Sequence, residues 1–194
     1  MLGEYPPNNL VYMDNLFSFI KEKRGDKYIV LDIETTGLDP ISDGIIELGA
    51  LKIDESGKEL ETFHQYINPN IPIGPEAEYI HGLSNLFIKN NGKAVMEVLP
   101  VFYDFCEDCA LVGQNILGFD ILFINKHLKE IAYPALTNKM WDTLEMARNK
   151  IKNVPNYRLG TIASALGVPY ANAHRALGDV QTTKEVFLRL RRLP

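Results

Sequence analysis

The stretch from Tyr28 to Pro40 reads YIVLDIETTGLDP. Its first half, Tyr28 to Ile33, is an apolar run interrupted by a single acid, the pattern of a strand buried on both faces at the centre of a sheet. Thr35-Thr36-Gly37 then turns the chain into a loop whose glycine lets backbone come close to a ligand. Asp32 and Glu34 therefore stand where a central strand ends, the edge at which open α/β sheets present their sites.

Two further segments carry acids in comparable settings. Asp120 lies in GQNILGFDILF, near the start of a helix from Phe119 to Ile131, and Asp179 lies in AHRALGDVQTT, five residues after His174. Singly, each has a structural reading. An Asp-x-Glu pair can be a polar strand end, Asp120 can accept backbone N–H groups at a helix start, and His174 can be a surface histidine. Together they mean more. Four carboxylates in one pocket repel one another and stay ionised only with cations between them. Two bridged divalent ions serve in-line attack of water on a phosphodiester, with a histidine near to take the proton. All-oxygen ligation points to Mg²⁺ or Mn²⁺ rather than zinc. An imidazole, ordinarily titrating near ~6.5, suits proton transfer close to neutrality. Five positions along a regular helix separate two side chains by about 140°, so His174 is expected on the loop or first turn entering the last helix, facing the ions from another side.

With DIETTGLD, GFD at a helix start and the closing HRALGDVQTT, the chain resembles the DEDDh-type 3′–5′ exonucleases of the ribonuclease H-like superfamily. Within them it is most similar to the exonuclease domain of the proofreading epsilon subunit of bacterial DNA polymerase III. EYIHGLS, LVGQN, WDTLEMAR and RLGTIASALGV follow in the order that resemblance implies, and the likeness runs from about Tyr28 to Leu190. It implies that Asp32 bridges two ions, that Glu34 and Asp179 complete the ion holding the water, and that Asp120 serves the second ion. It implies His174 as general base, and nucleoside 5′-monophosphates released from a 3′ end. It also implies a terminal-nucleotide pocket lined by Thr36, Gly37 and Leu38, with His81, Asn115 and Phe119 nearby. Phe119 has an equal claim to the core. One departure is visible: many relatives carry His-Asn where this chain has Gln114-Asn115, and altered substrate contact is expected there with the chemistry intact. The expected partner is the single-stranded 3′ end of DNA, with RNA as the alternative because the metal chemistry does not distinguish the sugars. A DNA polymerase partner is left open. A non-catalytic binding module is disfavoured because all five chemical residues are present.

Length and composition agree with one enzyme domain, residues 28–194, preceded by a lead-in segment, residues 1–27, packed on it. The 194 residues are 46% hydrophobic, enough for a substantial core. The opening MLGEYPPNNL lacks a basic start followed by an apolar core, and no segment has the length of a membrane span, so a cytoplasmic location without membrane contact is expected. Cys106 and Cys109 form a C-x-x-C with no second cysteine pair and read as reduced thiols near a helix end.

The net charge of −5 divides unevenly. Residues 1–119 hold 8 Lys and Arg against 19 Asp and Glu, whereas residues 120–194 hold 12 against 6. An enzyme gripping a few nucleotides of a single-stranded end needs only a local basic rim plus metals. Arg175, beside His174, is the cation best placed for such a rim.

The order of elements points to an α/β fold. Asn9 to Lys23 suggests an amphipathic helix. Three strands (Tyr28 to Ile33, Ile45 to Ile53, Leu60 to Ile67) with short links are expected to be antiparallel. Helical spacing follows Pro75, a short strand spans Ala110 to Gly113, and the second half is mostly helix, closing with a stripe of Val180, Thr183, Val186, Phe187 and Leu190. The whole reads as a ribonuclease H-like mixed sheet of about five strands, three antiparallel then parallel, with helices on both faces. His64 and His127 read as structural or exposed.

Overall fold

The computed structural model describes residues 26–170 and 174–194. The expected helix at Asn9 to Lys23 lies outside the described residues. The strands are β1 (Tyr28–Thr35), β2 (Ile45–Ile53), β3 (Glu59–Asn68), β4 (Lys93–Ala94), β5 (Ala110–Gly113) and β6 (Met140–Asp142). They form one sheet in the order β4-β3-β2-β1-β5-β6. β1 to β3 pair antiparallel, and β5 and β6 continue parallel to β1. The mixed sheet is thus as expected, with one correction: six strands rather than about five. The sixth, β4, is two exposed residues pairing parallel to the end of β3, too short to display any alternation in sequence.

Among the described residues there are seven helices: α1 (Pro75–His81), α2 (Asn85–Asn91), α3 (Val95–Phe105), α4 (Asp120–Glu130), α5 (Thr143–Lys150), α6 (Leu159–Ala165) and α7 (Ala176–Arg192). Alternation along β1 divides the core. Ile29, Leu31 and Ile33 face a cluster with Leu99 and Phe102 of α3 and Phe123 and Ile124 of α4. Tyr28 and Val30 point the other way, onto Val180 and Phe187 of α7. Because side chains two apart share a face, Asp32 and Glu34 fall on the α7 side. The predicted inward stripe of α7 is borne out, with Val180, Thr183, Val186, Phe187 and Leu190 all fully buried.

β1 pairs with β5 only over Tyr28 to Val30. β1 therefore runs past the end of its parallel neighbour, and its last turn-ward residues, Asp32 to Thr35, line a crevice rather than a ladder on that side. Here α4 begins and α7 enters. Close approach of α7 depends on Gly49, which pairs with Asp32 across β1 and β2. A Cβ at Gly49 would stand 3.0 Å from the carbonyl carbon and Cβ of Ala176 and from the Leu177 nitrogen.

Candidate active site

Asp32, Glu34 and Asp179 each offer a carboxylate oxygen within 4.8 Å of the other two. Strand alternation supplies the first two and the first turn of α7 the third. Repulsion among such charges near a surface is about 4 kcal/mol per pair at 4 Å. Burial, then the charges of Asp120, Glu34 and Asp179, push the Asp32 carboxyl well above the usual carboxylate range. Burial and the charges of Asp179 and Glu47 raise Glu34 to about 8. Asp179 is also raised, by burial first, although the backbone N–H of His174 opposes this.

Asp120, the first residue of α4, is buried beside this trio and raised to about 7 by burial, with its own N–H and that of Ile33 opposing. It reaches Asp32 electrostatically but does not belong to the tight three-carboxylate set. Asp179 Oδ1 is buried and has no well-formed hydrogen bond among the described residues, although the Tyr170 hydroxyl also opposes the rise of this carboxyl. An orphaned buried carboxylate oxygen, two further carboxylates within 4.8 Å and all-oxygen chemistry together fit a hard divalent cation.

His174 lies two residues before α7, on the entering loop, one of the two expected places. Its backbone is left-handed, with φ 61°, and its N–H donates to Asp179 Oδ2 at 3.1 Å. Its exposed side chain lines a cavity of about 630 Å³ together with Asp32, Asp179, Asn115, Arg158 and Tyr170. Asn115 is also left-handed, φ 59°, and its N–H donates to Asp142, which caps α5 through the Leu144 N–H.

The other expected substrate residues line a second cavity of about 510 Å³: Thr36, Gly37, Leu38, His81 and Phe119, with Glu34 in its wall. Thr36 is fixed by donating to Asp43 Oδ1 at 3.0 Å and accepting from the Gly44 N–H. Gly37 is required here, since a Cβ would lie 2.4 Å from Asp43 Oδ2. His81 is buried; its Nδ1 accepts from the Leu83 N–H, so Nε2 carries the proton, which is near the Thr35 backbone but makes no well-formed hydrogen bond among the described residues. Phe119 packs on Phe123 at 4.9 Å between ring centroids and also lines the cavity.

Several residues are committed to protein partners, which for Arg175 differs from the expected role. Arg175 is not a free rim cation: its guanidinium donates to both oxygens of Glu47, at 3.2 and 3.3 Å, and to the Tyr66 hydroxyl. Gln114 is committed to protein, donating to the Tyr157 carbonyl and accepting from Thr143. His64 bonds Glu47, and His127 is buried against Glu130. Glu47 itself was missed. Its signal was present in IIELGA, a charge inside a run that burial must silence with partners. Cys106 and Cys109 are both free and buried, and burial raises both thiols, as expected of inert cysteines.

Residues 29–187 match the RNase_T family, described as "Exonuclease". The chain belongs to this exonuclease family. It is 37% identical over 164 residues to the PolC-type DNA polymerase III of Caldanaerobacter subterraneus subsp. tengcongensis. It is 36% identical over 162 residues to the PolC-type DNA polymerase III of Thermotoga maritima. These matches span 84% of this chain but only 11% and 12% of those polymerases, so the chain corresponds to about a ninth of the relatives it matches. Among solved structures, E. coli exonuclease I in complex with a dT13 oligonucleotide has a TM-score of 0.79 at 20% identity, covering 87% of this chain and 41% of that one. The zinc-ion-bound form of the E. coli exonuclease I–single-stranded DNA complex has a TM-score of 0.77 at 21% identity, covering 86% and 40%. At that identity these establish the shared fold. No helix among the described residues is long and apolar enough to cross a membrane.

Proposed function

We propose that this exonuclease removes nucleotides one at a time from the 3′ end of single-stranded or frayed DNA, releasing nucleoside 5′-monophosphates. One observation carries the reading: the two cavities meet at the acids, Glu34 lining one and Asp32 and Asp179 the other. A strand end with its last nucleotide in the Thr36–Phe119 cavity and the preceding nucleotides in the other has its final phosphodiester at the carboxylates. The bond that breaks joins phosphorus to the 3′ oxygen of the penultimate nucleotide. Water supplies the new oxygen, His174 takes its proton, and the leaving 3′ oxygen takes a proton from solvent to end as a hydroxyl. Asp32, Glu34, Asp120 and Asp179 would hold two Mg²⁺ or Mn²⁺ ions, which when bound lower the pKa of water and neutralise charge on the phosphoryl oxygens. The His81 Nε2–H is a donor for an oxygen of the terminal nucleotide, and Arg158 supplies positive charge in the wall that the incoming backbone passes.

The likeness to PolC-type polymerases supports a role in proofreading or repair of DNA in the cytoplasm, with a DNA polymerase as working partner. The test is degradation of 5′-labelled single-stranded DNA, mispaired duplex and RNA of one sequence with Mg²⁺, Mn²⁺ or chelator. A ladder shortening from the 3′ end of DNA, absent with chelator, is expected. Cutting of a circular single strand would overturn the exonucleolytic reading, and faster loss of RNA would replace DNA as substrate.

A further inference from the structure

We propose that Glu47 and Arg175 form a clamp that positions His174, a role that rests on the reading of His174 as the general base. Glu47 on β2 pairs with Glu34 of β1 across the sheet, yet its side chain is 1% exposed and surrounded by donors. His64 Nε2 lies 2.7 Å from Oε1, and Arg175 spans both oxygens through Nε and one terminal nitrogen. Arg175 also donates to the Tyr66 hydroxyl, and its guanidinium carbon lies 5.9 Å from the Tyr66 ring centroid. Tyr66 is held in turn by edge contacts with His64 and Phe87, at 5.0 and 4.9 Å between centroids. The fork therefore ends in a rigid socket on the sheet.

Arg175 directly follows His174, whose φ of 61° is sparsely populated for a residue with a Cβ and persists only where neighbours over-determine it. Two constraints do so. The His174 N–H is tied to Asp179, and the next residue is tied to Glu47. The first joins the histidine to the helix carrying an acid of the site, and the second to the strand beside the other two. A two-point fork fixes direction as well as distance, which an ammonium cannot do. The clamp thus sets where the imidazole stands relative to the acids without touching substrate, and both residues are positioning residues.

The experiment is a double-mutant cycle on single-stranded DNA degradation at saturating Mg²⁺, with kcat and KM measured for the parent, Arg175→Ala, Arg175→Lys, Glu47→Gln, His174→Ala and His174→Ala/Arg175→Ala. Thermal unfolding of each defines a temperature at which all remain folded. Losing an outer support of a reacting group costs about 10–100-fold. Arg175→Ala and Glu47→Gln are expected to lose that in kcat with KM within about twofold, and Arg175→Lys to recover little. In the His174→Ala background, Arg175→Ala should cost less than about twofold, because nothing remains to be positioned. The clamp is overturned if Arg175→Ala slows His174→Ala as much as it slows the parent, or if it raises KM with kcat unchanged. A parental rate in His174→Ala would instead remove the general-base reading itself, a distinct result.

Discussion

Glu34 and Glu47 face each other across β1 and β2, on the same side of the sheet and one strand apart, and they have opposite fates. Burial and neighbouring acids raise Glu34 to about 8. Burial pushes Glu47 up as well, but hydrogen bonds from His64 and Arg175 outweigh it and hold the carboxyl below its ordinary value. Among the described residues, one carboxylate is satisfied by protein donors and the other is left short of them. Burial alone does not mark a functional acid; the absence of compensating donors does, because such a group is stable in its ionised form only when a cation arrives.

The largest effects should come from the uncompensated side. A bound divalent ion supplies several kcal/mol of transition-state stabilisation, so Asp32→Ala, Glu34→Ala, Asp120→Ala and Asp179→Ala should each lose about 10³-fold or more in kcat. Each variant should unfold at the same or a higher temperature than the metal-free parent, because a repelling charge has gone. Steady-state rates and thermal scans on the same samples check both. A variant near the parental rate would exclude that acid from the site.

His174 should matter less than the acids. As general base it contributes about 10²–10⁴-fold, so His174→Ala should turn over slowly yet retain parental affinity for metal and for a 3′ end. Loss of metal binding together with turnover would make His174 a ligand.

The comparison also predicts a pH signature. Glu34 keeps its proton in the folded chain up to about 8, against an ordinary 4.5 when unfolded. Its contribution to metal-free stability is therefore fully present below about 4.5 and lost as pH rises through about 8. Asp120, raised to about 7, acts in the same direction. The gain in melting temperature of Glu34→Gln over the metal-free parent should be smallest near about pH 5, grow toward about pH 8, and close when Mg²⁺ is added. A gain independent of pH would contradict the uncompensated state of Glu34.

The smallest expected effect concerns the seat of α7. Gly49→Ala places a methyl 3.0 Å from Ala176 and shifts the start of α7 by a few tenths of an ångström. Since a 1 Å displacement can cost about 10²-fold, a loss of about 3–10-fold in kcat is expected.

What was legible in the sequence followed from local pattern. The apolar run of β1 predicted a central strand, and Asp32 and Glu34 stand at its end. The spacing in α7 identified its buried stripe and put His174 on the loop or first turn entering the helix. What escaped notice depended on partners remote in sequence. Glu47 meets His64 from 17 residues away and Arg175 from 128, so nothing local distinguished an anchored arginine from a rim cation. β4 was missed because two exposed residues carry no period. At the Gln114-Asn115 departure, Gln114 binds the Tyr157 carbonyl and Thr143 while lining the cavity shared with His174 and Asp179, partners that no local pattern announces.

The most direct test is a calorimetric titration of Mn²⁺ into metal-free protein near neutral pH, comparing the parent with Asp179→Ala, Glu34→Ala and Glu47→Gln. Loss of its charged hydrogen bonds should cost the Glu47 variant about 1–3 kcal/mol of stability, but its Mn²⁺ binding should remain close to parental. Asp179→Ala and Glu34→Ala should bind at least about tenfold more weakly. Parental Mn²⁺ affinity in Asp179→Ala, or an equal loss in Glu47→Gln, would contradict the division between a cation-seeking and a protein-satisfied carboxylate.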